Sequence, residues 1–88
     1  MAYTVLLSPH ADRDRRALPD QVRRRIREAP VALEIEPRPS DAVRLTAVRH
    51  RWRVRVGDYR ILYEVDDASQ HLLVLRIAHQ RAVYRQEI

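Results

Sequence analysis

The chain has 88 residues, which is enough for one small domain with a single hydrophobic core. Its 45% apolar content argues against intrinsic disorder, no apolar run reaches the roughly 20 residues of a membrane span, and the lack of cysteine excludes disulfides and thiolate metal sites. We therefore expect a soluble cytoplasmic protein with one domain over residues 1–88. The formal net charge is +5 and all 17 basic residues are arginine, so we also expect an anionic partner.

The chain opens with a predicted strand and a short helix. Residues 3–7 are rich in β-forming side chains and predict the first strand. Ser8 followed by Pro9 is typical of an N-cap and a first helical position, so we predict a helix over residues 9–18.

A second helix is predicted after Pro19, because apolar residues recur there at helical spacing. The residues of this apolar stripe are Val22, Ile26, Ala29 and Leu33. Pro30 removes one helical hydrogen bond, but the stripe continues beyond it. We therefore expect a kink near Arg27 rather than the end of the helix.

The most informative segment is a predicted hairpin over residues 51–66. It follows a loop at residues 37–41 and a brief predicted strand at residues 44–46. Two alternating runs meet at Gly57-Asp58, and this glycine, the only one in the chain, allows the positive φ that a two-residue primed turn requires.

Counting outward from this turn predicts which side chains share a face. One face carries only apolar and aromatic side chains and reads as the core face: Trp52, Val54, Val56, Tyr59, Ile61 and Tyr63. The other face carries Arg53, Arg55 and Arg60, with Arg55 directly opposite Arg60. Like charges in this position cost about 0.2–1 kcal/mol, which a site for a polyanion would explain.

Charge alone leaves the nature of the anion open. Five arginines lie within residues 49–60, where Asp58 is the single acid. Guanidinium groups suit bidentate contacts with phosphate, as in a nucleic acid. An acidic protein partner would be attracted equally well.

The last predicted strand covers residues 71–78, after a turn at residues 67–70. It is apolar on both faces apart from Arg76, as expected for a strand inside a covered sheet. The order β-α-α-β-β-β predicts a two-layer α+β fold, in which an N-terminal helical hairpin packs on the core face of an antiparallel meander. The arginine face is then left open, at least in part.

The usual catalytic constellations are absent from the sequence, apart from one group of residues. The four histidines lack metal-ligand spacing, and one glycine cannot build a phosphate-binding loop. What remains is the arginine cluster together with His79, Arg81 and Tyr84. Arginines can stabilise charge on a scissile phosphate, and histidine or tyrosine can transfer the protons when a ribose 2′-OH attacks it. Neither a metal nor a cofactor is needed for this reaction.

The hairpin and the C-terminal segment resemble the RelE/ParE superfamily of bacterial type II toxins. The resemblance rests on residues 56–67, on the following apolar strand and on residues 79–85, and it extends to Ser8-Pro9 and Leu18-Pro19. It implies a microbial ribonuclease fold and a cognate acidic antitoxin, through which alone the toxin would contact DNA. In the RelE branch it also implies cleavage of mRNA in the ribosomal A site by 2′-OH attack.

The resemblance also implies residue roles. The RelE branch uses basic residues on the first hairpin strand, an arginine early on the second, and a basic residue and a tyrosine near the end. The positions that match this pattern are Arg53, Arg55, Arg60 and Tyr84. Together with the charge pattern, this leads us to assign Arg55, Arg60, Arg81 and Tyr84 as catalytic residues, and Arg51, Arg53 and His79 as RNA-binding residues. The chain departs from many relatives at Gln80, where they carry arginine.

Three functions follow from these observations. The first is a metal-independent, ribosome-dependent mRNA endonuclease that inhibits translation. The second is a ParE-type inhibitor of DNA gyrase without nuclease chemistry, although such members generally lack the basic set and the terminal tyrosine. The third, favoured by Gln80, is a degenerate toxin that survives mainly as an antitoxin-bound cofactor of DNA repression.

Overall fold

The structure is a computed structural model and describes residues 2–45 and 50–79. Its elements are β1 (Thr4–Leu7), α1 (Pro9–Arg16), α2 (Asp20–Ile35), β2 (Val43–Arg44), β3 (Arg51–Val56), β4 (Tyr59–Asp66) and β5 (His71–His79). The strands form one sheet in the order β1-β5-β4-β3-β2. The predicted α+β architecture is therefore confirmed. The brief strand expected at residues 44–46 corresponds to the two-residue edge strand β2, which begins one residue earlier and ends at Arg44, and residue 46 lies outside the described residues. The meander β2 to β5 is antiparallel, whereas β1 pairs with β5 in parallel.

Both helices form where the sequence predicts them, although α1 is shorter than predicted at its C-terminal end. The Ser8 hydroxyl caps α1 by accepting a hydrogen bond of 3.1 Å from the Ala11 amide. The helix ends at Arg16 rather than at residue 18, because a residue that precedes a proline, here Leu18, is disfavoured in a helical conformation. The second helix continues through Pro30 to its end, as predicted. The kink near Arg27 stays a prediction.

The hairpin register predicted from Gly57-Asp58 is confirmed over its whole length. Arg55 pairs with Arg60, and the pairing continues to Trp52 opposite Tyr63. Within the turn only Gly57 has a positive φ, +60°, as in a type II′ turn. This register fixes which side chains face the helices.

The helices cover the predicted core face of the hairpin. Val54, Ile61 and Tyr63 are buried in one apolar cluster with Ile26 and Leu33 of α2. The Tyr63 hydroxyl donates a hydrogen bond of 2.7 Å to the carbonyl oxygen of residue 37, and burial raises the pKa of Tyr63 to about 12. Within residues 2–45 and 50–79 no helix is long and apolar enough to cross a membrane.

A surface cluster ties the N-terminal strand to the turn that follows β4. The Asp67 carboxylate accepts hydrogen bonds of 2.6 Å from the Tyr3 hydroxyl and from the Arg38 guanidinium. These two donors hold the pKa of Asp67 below its usual value, and the carboxylate raises the pKa of Tyr3. The Arg38 guanidinium also lies 5.5 Å from the centroid of the Trp52 ring, so this arginine connects the cluster to the edge of the core.

We expect the Asp67 carboxylate to contribute to acid unfolding. Because its pKa is lowered in the folded state, it stabilises the protein above its unfolded pKa of about 3.9, and this contribution is lost as the pH falls through the lower folded value. Asp67→Asn should therefore weaken the dependence of the melting temperature on pH below about pH 4. Asp58→Asn makes the same change of charge in the exposed hairpin turn and serves as the control. An unchanged acid dependence in Asp67→Asn would contradict the prediction.

Candidate nucleic-acid interface

The candidate interface is the side of the sheet that faces away from the helices. Trp52, Val54 and Val56 of β3 pack with the core cluster beneath the helices. Since side chains alternate along a strand, Arg53 and Arg55 point to the opposite side. We call this side of β3 and β4, with Arg53, Arg55 and Arg60, the arginine face.

Arg60 is the most enclosed charged residue among those described. In the sheet it stands between Arg55 of β3 and Ala78 of β5. It is 8% exposed and its Nε is shielded from solvent, whereas Arg55 is exposed and Arg53 is half-buried. Burial limits the conformers of a long side chain, so the Arg60 guanidinium is held in one place.

The arginine face is open in part, as predicted. Leu62 and Ala78 lie on this face and are buried, although neither belongs to the main core cluster under the helices. The face is therefore covered around Arg60 and Leu62 and accessible at Arg55. This arrangement places one fixed guanidinium beside one exposed guanidinium, which suits an anion that approaches from the side of β3.

Arg51 extends the arginine row but is already paired. Its terminal nitrogen lies 2.8 Å from Glu64 Oε2, and its Nε donates to the same oxygen at 3.3 Å. Arg51 and Glu64 are directly opposite each other in the hairpin. Any contact of Arg51 with RNA, as predicted from the sequence, therefore competes with this ion pair.

His79 does not lie on the arginine face. It pairs with Tyr59 across β4 and β5, and the two rings meet edge to face with centroids 5.4 Å apart. Because Tyr59 packs with the core cluster, His79 lies on the helical side of the sheet. The sequence-based grouping of His79 with the arginines is not reproduced, because Ala78 is the residue that faces Arg60.

Arg81 and Tyr84 lie outside the described residues, and the catalytic roles assigned to them stay predictions. Within residues 2–45 and 50–79 the arginine face offers positive charge, and its carboxylate, Glu64, is engaged by Arg51. Tyr63 is buried on the core face and stays protonated because its pKa is raised to about 12. In the same part of the chain no group of histidine, aspartate and glutamate side chains is arranged to hold a metal ion. The described part of the face is therefore suited to binding and stabilising phosphate.

Arg25 of α2 adds an exposed positive charge at the tip of the hairpin. A Cβ placed on Gly57 would lie 3.3 Å from a terminal nitrogen of Arg25, so this α2 side chain packs against the turn. Nothing in the local sequence indicates this contact, because it joins two elements about thirty residues apart. It carries positive charge from α2 to the tip of the arginine-bearing hairpin.

The chain is similar to known toxins over nearly its whole length. Residues 5–84 match the family model described as the ParE toxin of the type II toxin-antitoxin system parDE. The chain is 30% identical over 86 residues to Toxin RelG of Mycobacterium tuberculosis, and this alignment covers 97% of this chain and 99% of that protein.

Two solved complexes show the same fold. The archaeal RelE-RelB complex from Pyrococcus horikoshii contains a chain that superposes with a TM-score of 0.81 at 28% identity, covering 91% of this chain and 97% of that one. The toxin-antitoxin complex RelBE2 from M. tuberculosis gives a TM-score of 0.78 at 29% identity, covering 91% of this chain and 100% of that one. The fold expected from the resemblance is therefore confirmed.

Proposed function

The chain belongs to the RelE/ParE superfamily of type II toxins, and we propose that within it the protein is a ribosome-dependent mRNA endonuclease that inhibits translation. The observation that carries this proposal is the arginine face. Three arginines lie on the side of the sheet that faces away from the helices, two of them directly opposite each other, and this side is accessible at Arg55. A binding protein that only occludes a protein target has little use for a repulsive pair fixed in this way.

The arginines would act on the scissile phosphate. We assign Arg60, held by its surroundings, to stabilise the negative charge that builds on the phosphoryl oxygens, and the exposed Arg55 to bind the same group as the RNA arrives. Arg53 is assigned to an adjacent phosphate. Fixed positive groups of this kind need no reorganisation during the reaction, and this is the main source of their catalytic effect.

The chemical step is a transesterification within the RNA. The ribose 2′-oxygen forms a bond to the adjacent phosphorus while the bond from phosphorus to the 5′-oxygen of the next nucleotide breaks. A base accepts the 2′-OH proton and an acid donates a proton to the leaving oxygen. The products are a 2′,3′-cyclic phosphate and a free 5′-OH. We assign one proton transfer to Tyr84 on the strength of the resemblance, and stabilisation of the phosphate charge to Arg81, because a guanidinium is normally too basic to transfer protons.

A second candidate function is inhibition of DNA gyrase. It is favoured by the family model that matches this chain, because that model is described as the ParE toxin. Against it stands the arginine face, which supplies the phosphate-binding half of a nuclease site. The two functions act on different molecules and are separable in one experiment.

The deciding experiment follows mRNA cleavage in a translating extract and plasmid supercoiling in a parallel gyrase reaction. The purified toxin is added to an extract that translates a labelled mRNA, and in parallel to gyrase with relaxed plasmid. The proposal expects cleaved message with a 2′,3′-cyclic phosphate end, only while ribosomes are present, and normal supercoiling. Intact message with blocked supercoiling would establish the gyrase function. No effect in either assay, together with normal growth on induction, would indicate the degenerate toxin.

We further propose that the partner is an acidic antitoxin that binds the basic surface and the free edge of the sheet. The chain carries a net charge of +5, which attracts an acidic segment. The strand β1 lies at the edge of the sheet and exposes Leu6 and Leu7, so a partner strand can add there through backbone hydrogen bonds. The solved complexes of similar toxins contain RelB antitoxins. A small acidic protein encoded next to this one that co-purifies with it would support the assignment.

A further inference from the structure

Strand β5 contains a bulge just before the segment that lies beside Arg60. Leu62 of β4 pairs with Arg76, but the next residue, Tyr63, pairs with Val74, so one extra residue, Leu75, is accommodated in β5. Val74 and Ile77 both enter the core cluster, although they are three residues apart. The bulge is therefore what allows both to face the helices.

Helix α1 binds this bulge at three backbone positions. The Ser8 amide donates to the Val74 carbonyl at 2.8 Å, and the Ser8 hydroxyl donates to the Leu75 carbonyl at 2.9 Å. At the other end of the helix, Asp14 Oδ2 accepts a hydrogen bond of 3.0 Å from the Ile77 amide and one of 2.8 Å from Arg76 Nε. One carboxylate oxygen thus joins the helix to both the backbone and the side chain of β5.

These contacts begin where the pairing of β5 with β1 ends. The strand β1 reaches only residues 71–74 of β5. Beyond that point the outer edge of β5 is bound by α1, through Ser8 and then Asp14. The carboxylate therefore takes the place of a neighbouring strand at the Ile77 amide.

The position of these last residues matters for the arginine face. The residue after Ile77 is Ala78, which stands directly opposite Arg60, and the chain then continues toward Arg81 and Tyr84. We propose that Asp14 is a positioning residue that fixes the end of β5 relative to Arg60. This inference rests on the proposed nuclease function. Asp14 acts through Arg76 and the Ile77 amide, without contact with the RNA.

The chain offers a matched control within the same helix. Asp12 also forms ion pairs, but with Arg15 and Arg16 of α1 itself, and its side chain is 40% exposed, against 20% for Asp14. Asp12→Ala and Asp14→Ala therefore remove the same group from one helix, and only the second removes a contact with β5. Asp14→Asn keeps an oxygen that can accept from the Ile77 amide and removes the ion pair with Arg76.

The test is single-turnover cleavage of mRNA on programmed ribosomes, at a temperature at which thermal unfolding shows every variant to be folded. We expect Asp14→Ala to lower the cleavage rate by about 10- to 100-fold, because a misplacement of about 1 Å has an effect of this size. The affinity for the programmed ribosome should stay within about twofold, since the exposed arginines are unchanged. Asp14→Asn should fall between Asp14→Ala and the wild type, and Asp12→Ala should match the wild type.

Hydrogen exchange of the Ile77 amide supplies a second readout that does not depend on catalysis. We expect faster exchange in Asp14→Ala than in Asp12→Ala. Unchanged exchange, or a cleavage rate equal to that of the wild type, would overturn the positioning role while leaving the nuclease function standing. A wild-type protein that cleaves no message would overturn the nuclease function and this inference with it.

Discussion

Arg60→Ala is expected to lower the rate of mRNA cleavage by about 10²–10³-fold, the loss typical of removing one preorganised group that stabilises transition-state charge. Arg60 is the enclosed arginine of the arginine face, 8% exposed and opposite Arg55. Its guanidinium needs little reorganisation as charge develops on the phosphate, so its removal should affect the chemical step more than RNA binding. Single-turnover cleavage on programmed ribosomes measures this effect, and growth after induction in cells gives the corresponding phenotype.

Two further substitutions test whether the position of the charge matters. Arg60→Lys keeps the positive charge but loses the planar fork that contacts two phosphate oxygens, so an intermediate rate is expected. Arg44→Ala removes an exposed arginine of the same sheet that pairs with Trp52 and hence lies on the helical side. The Arg44→Ala variant should therefore cleave mRNA at the wild-type rate. A similar loss in Arg44→Ala and Arg60→Ala would show that net charge, rather than the arginine face, drives activity.

The arginine face was predictable from sequence because the hairpin is a local structure. The glycine at position 57 fixes the turn, and strict alternation on either side fixes the register without reference to the rest of the chain. The same alternation separates Val54 and Ile61, which face the core, from the arginines. Only the enclosure of Arg60 was not predicted, because it depends on what covers the second face of the sheet.

The position of His79 was not predictable, because His79 lies beyond a bulge in its own strand, β5. Its neighbours are set by the register of β5 against β4, and that register shifts at Leu75. The contacts that hold the bulge come from Ser8 and Asp14, more than sixty residues away in sequence. The local sequence gives no sign of the irregularity, because a strand that is apolar on both faces shows no alternation that a shift could interrupt.

The central position of β5 illustrates how the fold was partly predictable. Its apolar character on both faces predicted a strand inside a covered sheet, and β5 indeed lies in the interior of the sheet, between β1 and β4. Its parallel partner, β1, could not be assigned from the sequence, because a connection through two helices permits either edge of the meander.

Ile61→Ala is expected to lower the free energy of unfolding by about 2–5 kcal/mol, because it removes a buried aliphatic side chain and leaves a cavity. Ile61 is fully buried under the helices and adjoins Arg60 in sequence. The loss is large against the roughly 4–13 kcal/mol expected for a domain of 88 residues. Urea unfolding followed by tryptophan fluorescence measures it, and Ile61→Val should cost only about 0.5–1.5 kcal/mol.

The adjoining pair Arg60 and Ile61 separates binding chemistry from folding. Since Ile61 points to the core face, Ile61→Ala should cleave mRNA at the wild-type rate when the rate is divided by the folded fraction. Arg60→Ala should show the reverse, with cooperative unfolding retained and cleavage lost. If Ile61→Ala slows cleavage per folded molecule as much as Arg60→Ala does, the two faces of the sheet are not independent, and the loss in Arg60→Ala cannot be assigned to its guanidinium.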